Sequence, residues 1–328
     1  MLLHYILKAY MKTTLIQLSP HQMSNESLVP WGRLFFQVIN LQIPKDAVPS
    51  DEDERERCEW WKAKKWAYAT LGRLYRRYGD PSQLPSTLKE EYGAFADSFV
   101  STFAPEIIKV FLHQVELYVS GQAWLSKKSQ YHIFSFFSDC IKPKSTWHLI
   151  KPHFETLVSS FVYPQMSFTP TKEELWQSDP VDLVRQQVGK LDSMPTGLYT
   201  RLTVFTDDGD YFDTPLVAAT SFLIQLVKSR TKVTFMPILS FINNVLRSNP
   251  QASQKYGALN MTVGLAPFIM RHPDVKDGME QFLMQHVLPC FNATEPYLRA
   301  VACEVLNAVE KVGVKWSNEQ VRRAIHHR

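Results

Sequence analysis

Glycine is scarce in this chain: 12 of 328 residues, about half the usual share of roughly 7%. Sheets and tight hairpins consume glycine, so the shortage favours helices joined by short connections. Cysteine is scarce as well. Cys58, Cys140, Cys290 and Cys303 lie far apart with no CxxC pair, which excludes a disulfide framework and reads as reduced, buried thiols of an intracellular protein. No apolar run approaches the 18 residues needed to cross a bilayer, so no membrane insertion is expected. The opening MLLHYILKAYMKTTLIQL lacks a basic leader and carries Lys8 and Lys12 inside its apolar pattern. It reads as an amphipathic helix that begins abruptly, as if midway through a larger protein, and not as a signal peptide. The net charge of +4 is small and no long Lys/Arg tract occurs, so no direct nucleic-acid partner is expected.

Signatures of chemistry are missing too. There is no glycine-rich phosphate cradle and no GxSxG elbow. His148 and His153 stand alone and His326-His327 are terminal, so no metal-ligand spacing is present. Asp207-Asp208-Gly209-Asp210 lacks the ligand alternation and closing glutamate of a calcium loop and reads as a solvated turn. The sequons at Asn25, Asn260 and Asn292 read as chance matches. No catalytic residue, cofactor or metal is expected, and no enzyme activity.

What is present is helix-forming sequence. Hydrophobic residues make up 45% and charged residues 21% of the chain, and the 20 prolines fall singly at the edges of apolar stretches, as helix punctuation does. Apolar spacing predicts a helix over 28–41, burying Leu34, Phe35, Val38 and Ile39, then a loop over 43–50 and a helix over 53–78. Ser86 is the expected N-cap of a helix whose stripe is Tyr92, Phe95, Phe99 and Phe103, with Pro105 kinking or restarting it before Ile108, Phe111, Val115 and Tyr118. Further helices are expected over 127–141, 146–161, 172–176 (with Thr171 and Glu174 at capping-box spacing) and 181–188. Another set is expected over 216–228 (opened by Thr214-Pro215), 233–247, 254–269, 276–291, 295–312 and 318–326. Similar helices in consecutive pairs, each burying its stripe against neighbours, predict an all-α fold, an α-solenoid of HEAT-type antiparallel helix pairs in a superhelical array. An irregular helical bundle is the alternative that periodicity leaves open. Two segments echo each other: Tyr163-Pro164 followed by Asp179-Pro180 and Arg185, and Leu288-Pro289 followed by Glu295-Pro296 and Arg299. One stretch, 186–213, breaks the pattern and is expected to be a loop or insertion, dividing the array into 1–185 and 214–328.

The most distinctive stretch is 51–80, DEDERERCEWWKAKKWAYATLGRLYRRYGD. Its acidic residues Asp51, Glu52, Asp53, Glu54 and Glu56 admit two readings. One is a helix N-terminus favoured by the dipole. The other is a flexible acidic loop, at about 43–57, that recruits basic partners through long-range attraction. Trp60, Trp61 and Trp66 are similarly either core residues or a peptide-binding platform.

The run CEWWKAKKWAYATLGRLYRRYGDPSQLP, residues 58–85, resembles the corresponding block of the importin-β-like karyopherins of the importin seven/eight class. Segments around 144–152, 173–185, 255–261, 279–291 and 296–305 are similar to the same class in the same order. The resemblance implies a nuclear transport receptor: a HEAT superhelix that moves between cytoplasm and nucleus, passes the nuclear envelope through its pores, contacts nucleoporins and releases its load to Ran-GTP. It also implies basic cargo such as ribosomal proteins or histones, which the acidic run would suit. Receptors of that class are considerably longer, so the chain is expected to be an internal or truncated fragment whose Ran contacts cannot be assigned to residues. Stretch 186–213 is an extra insertion relative to that class. A HEAT scaffold of another kind, such as a phosphatase or kinase regulatory subunit, is the alternative.

Overall fold

The computed structural model describes residues 2–181 and 214–312. The stretch 186–213, nearly all of the 181–188 segment, the 318–326 segment and the terminal histidines lie outside the described residues. Among the described residues every regular element is a helix. The chain divides into two compact units, Met1–His153 with Asp213–Ala218, and Phe154–Phe212 with Ala219–Arg328.

In the first unit the helices are α1 (Leu3–Thr13), α2 (Pro20–Met23), α3 (Asn25–Asn40), α4 (Glu52–Arg57), α5 (Glu59–Leu74), α6 (Lys89–Ser98), α7 (Ala104–Val119), α8 (Lys127–Ile141) and α9 (Lys144–Ile150). The tryptophan helix α5 is the hub, packing against α1, α3 and α8. Ala63, Ala67 and Ala69 are buried along it beside Trp61, Tyr68, Leu71 and Leu74. Those small side chains let neighbouring backbones come close while the large ones fill the gaps between them. From Tyr68 a chain of edge-on aromatic contacts runs through Phe111 (4.9 Å) and Phe136 (4.9 Å) to Tyr75 (5.3 Å). Burying each such ring contributes about 1.5–3 kcal/mol. Helix α8 has the expected bounds, opened by Ser126, whose hydroxyl accepts from the Ser129 N–H. In α3, Phe35, Val38 and Ile39 are buried as expected, whereas Leu34 is only half-buried.

The basic turn that ends the tryptophan block closes α1. Arg73 donates to the carbonyls of Thr14 (3.2 Å) and Leu15 (2.8 Å), Arg77 to that of Ile16 (2.9 Å), and the Tyr78 hydroxyl to that of Thr14 (3.1 Å). Carbonyls just past a helix end have no intrahelical partner, and cations there also oppose the dipole. Lys64 serves α3 in the same way, its Nζ donating to the Ile39 carbonyl at 2.8 Å.

Several expected details differ. The 53–78 helix breaks at Cys58, which is extended (ψ 142°); α4 buries no side chain, so packing does not hold it in register with α5. The expected loop over 43–57 is accordingly helical from Glu52 onward. Ser86 begins a 3-10 turn, Ser86–Leu88, and caps nothing. At Pro105 the helix restarts as expected, and the structure adds how: α6 passes into α7 through a π turn, Phe99–Phe103, closed by the Ala104 N–H on the Phe99 carbonyl, with Pro105 in the first turn of α7. The same device recurs. Among the described residues there are four π turns, Tyr75–Gly79, Phe99–Phe103, Val158–Val162 and Leu283–Val287, and a proline stands two residues after each: Pro81, Pro105, Pro164 and Pro289. Where a helical path continues through the proline, at Pro105, Pro164 and Pro289, its ring would collide with the carbonyl four residues back, and a widened turn moves that carbonyl aside. At Pro81 the helix has already ended, Asp80 being extended (φ −118°, ψ 105°).

The second unit contains α10 (Phe154–Leu157), α11 (Tyr163–Met166), α12 (Pro170–Ser178), α13 (Pro215–Arg247) from Ala219 onward, α14 (Ala252–Ile269), α15 (Met279–Phe282) and α16 (Pro296–Glu310). The expected capping box at Thr171 is replaced by Thr169, whose hydroxyl accepts from the Lys172 N–H ahead of Pro170. The two helices expected over 216–228 and 233–247 are both present within the span α13 and meet at a kink where Arg230 leaves helical geometry (φ −132°, ψ 31°). Helix α14 packs against α16 and α11. Phe168 stacks on Tyr297 at 3.8 Å with Tyr256 edge-on at 5.3 Å. Arg299 donates to the carbonyls of Ala293 (2.7 Å) and Thr294 (3.0 Å), which gives the early arginine of the echoed segment its task. The buried Asn260 amide donates to the Met166 carbonyl, so that sequon is part of the interior. Cys140 and Cys290 are buried and Cys58 half-buried, but Cys303 is exposed. It lies off the face of α16 that carries Val301, Ala302 and Val305 inward.

Two tests follow from this packing. A Cβ at Gly79 would lie 2.4 Å from Cδ1 of Phe99, a ring wedged between Phe95 and Phe103. Gly79→Ala gains about 1 kcal/mol of helix propensity against about 1–3 kcal/mol of overpacking. We expect a net loss of stability in urea denaturation, and a gain would show that Phe99 yields freely. Burial pulls the Lys64 ammonium down to about 8. Between that pH and its ordinary value of about 10.4 the unfolded chain keeps a proton that the folded chain sheds, so this group makes stability rise with pH in that window. Above pH 10 the buried hydroxyls of Tyr68 and Tyr75, pushed up by burial, act in the opposite direction. From pH 7.5 to 9.5 the unfolding midpoint of the wild type should therefore rise relative to Lys64→Met; parallel profiles would contradict the assignment.

Candidate functional site

The acidic run forms the short helix α4. Asp51 caps it, Oδ1 accepting from the Glu54 N–H at 2.8 Å, and Glu52, Asp53 and Glu54 occupy its first turn, where the helix dipole favours negative charge. Asp51, Glu52, Asp53 and Glu54 are exposed. Glu56 is half-buried and accepts the backbone N–H of Lys127, at the first turn of α8. Burial raises its carboxyl above the ordinary range, and the Lys127 N–H with the charges of Lys127, Lys128 and Lys65 partly offset that rise. Four candidate carboxylates therefore face solvent together, and the fifth is engaged in closing α8.

Arg55 and Asp53 make the further contacts of α4, and Trp61 braces the ring that Arg55 meets. The Arg55 guanidinium donates to the carbonyls of Pro49 (2.5 Å) and Ser50 (3.1 Å) and lies over the Trp124 ring at 5.7 Å. Trp61 meets Trp124 edge-on at 5.2 Å, and its indole N–H points at the Trp124 carbonyl at 3.5 Å. Lys127 Nζ lies 4.0 Å from Asp53. Both members of that pair are largely exposed, so it contributes little in water. The block's tryptophans are divided: Trp61 is buried in the core, while Trp60 and Trp66 are half-buried. The Trp66 ring lies beneath Lys65 (4.6 Å) and Lys8 (5.6 Å).

Two concavities went unnoticed in the sequence. In the first unit a groove of about 710 Å³ between α3 and residues 98–106 has Val29, Gly32, Phe36 and Phe103 as its apolar wall, with Arg33 and Glu106 at its edge. The signal available was Val29, an apolar residue that α3 leaves 40% exposed. In the second unit a smaller pocket of about 280 Å³ includes Arg247, Asp274 and His286. Burial and the charges of Lys255 and Arg247 keep that histidine's pKa low. Among the described residues no three His, Cys, Asp or Glu side chains are grouped to hold a metal ion. No described helix is long and apolar enough to cross a membrane.

Comparison with known proteins places this arrangement. No family model matches the chain. Human Importin-8 is 28% identical over 98% of the chain, which corresponds to 28% of its own length. Nonsense-mediated mRNA decay protein 5 of Saccharomyces cerevisiae is 27% identical over 89% of the chain and 27% of its own length. The Importin beta-like SAD2 homolog of Arabidopsis thaliana is 29% identical over 84% of the chain and 25% of its own length. The chain is related to the importin-β-like karyopherins. The relationship runs along nearly the whole chain, and the chain spans between a quarter and a third of the length of these relatives. Its all-α fold is of the HEAT-type helical-repeat class. Importins are non-enzymatic transport receptors.

Proposed function

We propose that the chain acts as the segment of a nuclear import receptor that holds basic cargo, with the exposed carboxylates of Asp51, Glu52, Asp53 and Glu54 on α4 supplying part of the contact. The observation that carries the reading is the likeness to Importin-8 along 98% of the chain. The electrostatics of α4 support the cargo class: four exposed acidic side chains on one short helix attract lysine- and arginine-rich surfaces and speed their encounter. Histones and ribosomal proteins have that chemistry. In the complete receptor, GTP-bound Ran releases the cargo and nucleoporins supply passage between cytoplasm and nucleus. The apolar groove beside α3 is a suitable seat for a nucleoporin side chain.

The test is the affinity of the chain for core histones at two salt concentrations, compared with a variant carrying Asp51→Asn, Glu52→Gln, Asp53→Asn and Glu54→Gln. Asparagine at position 51 still caps a helix, so the fold of α4 is retained. Neutralisation should weaken binding about tenfold or more at physiological salt, equivalent to about 1.4 kcal/mol, and should flatten the salt dependence. Equal affinity of the two proteins would remove α4 from the cargo surface.

A further inference from the structure

The acidic run contains two arginines, and the structure treats them differently. Arg57 is exposed. Arg55 is half-buried, spans the carbonyls of Pro49 and Ser50, and lies over the Trp124 ring. Trp124 is itself braced edge-on by Trp61 of the buried hub helix. The chain is extended at both ends of α4, at Asp51 (ψ 135°) and at Cys58 (ψ 142°), and none of the helix's six residues is buried. A six-residue helix in water is far below the length at which helices hold themselves together. Its direction is therefore set by the few contacts that tie it to the carbonyls of Pro49 and Ser50 and to residues 124–127. An arginine is suited to that tie, because its planar fork bonds two carbonyls while its face packs on an indole.

We propose that Arg55 and Trp124 are positioning residues for binding basic partners: together they hold α4 so that the carboxylates of Glu52, Asp53 and Glu54 are presented as a fixed set. This rests on the reading of α4 as part of the cargo surface. Fixing the charges beforehand removes the ordering cost that a loose acidic strand would meet on binding. A cation within an acidic site thus strengthens attraction for cations, through geometry and against its own charge.

That opposition of sign makes the idea testable. Arg55→Met and Arg57→Met each make the run one unit more negative. If charge alone mattered, both would bind an octa-arginine peptide more tightly. Positioning predicts that Arg57→Met tightens binding about twofold, whereas Arg55→Met weakens it about threefold or more. Trp124→Ala should weaken it similarly, and Trp124→Phe, which keeps an aromatic face for the guanidinium, should restore most of the affinity. Amide exchange over 52–57 in the free protein should accelerate in Arg55→Met and Trp124→Ala but not in Arg57→Met. Tighter or unchanged binding by Arg55→Met overturns the proposal, as does faster exchange without any loss of affinity, which would leave Arg55 a purely structural residue. The variant with neutralised residues 51–54 separates the two levels. If it binds the peptide as the wild type does, the cargo reading of α4 falls and the positioning role with it. If it loses binding while Arg55→Met does not, only the positioning role falls.

Discussion

The first unit depends on burying one helix on nearly all sides. Helix α5 is surrounded by α1, α3 and α8, and its alanines at 63, 67 and 69 set how closely those neighbours approach. Burial alone would leave the ends of the surrounding helices with unpaired carbonyls, at a cost of about 1–3 kcal/mol for each buried acceptor left unsatisfied. The same helix and the turn that follows it meet that requirement. Lys64 bonds the carbonyl near the end of α3, and Arg73, Arg77 and Tyr78 bond those beyond α1. Apolar packing and helix-end satisfaction thus come from one sequence block, which accounts for its mixture of aromatic and basic residues.

Sequence reasoning reached the features that this chemistry makes periodic. The bounds of α8, the burial of Tyr92, Phe95, Phe99, Phe111 and Val115, and the core role of Trp61 all follow from apolar residues recurring on one face of a helix. It also singled out the prolines, but not the π turns that precede them by two residues, because a proline at the edge of an apolar stretch reads equally well as ordinary helix punctuation. The capping residues were placed nearly but not correctly: Thr171 has the spacing of a capping box, yet Thr169 precedes Pro170, whose fixed φ suits the first helical position. At Cys58 the failure has another cause. Helix propensity is high on both sides, and the break is decided by α4 having nothing to bury and by polar partners about 70 residues later in the chain.

The candidate site shows the same division. The sequence displayed the acidic cluster but not that Glu56 is turned toward α8 while four others remain open. Arg55 looked like one charge among several, and only the fold brings Trp124 beneath it. The likeness to importins runs almost end to end, and the groove beside α3 is a second concave surface of the first unit.

The central claim is that a buried, helix-closing α5 supports a surface-held α4. Native-state hydrogen exchange resolved along residues 50–80 tests it most directly. Amides of 61–74 should exchange only with global unfolding of the first unit, while those of 52–57 should open locally at a small fraction of that free energy. Comparable protection of the two segments, or faster exchange in 61–74 than in 52–57, would contradict it.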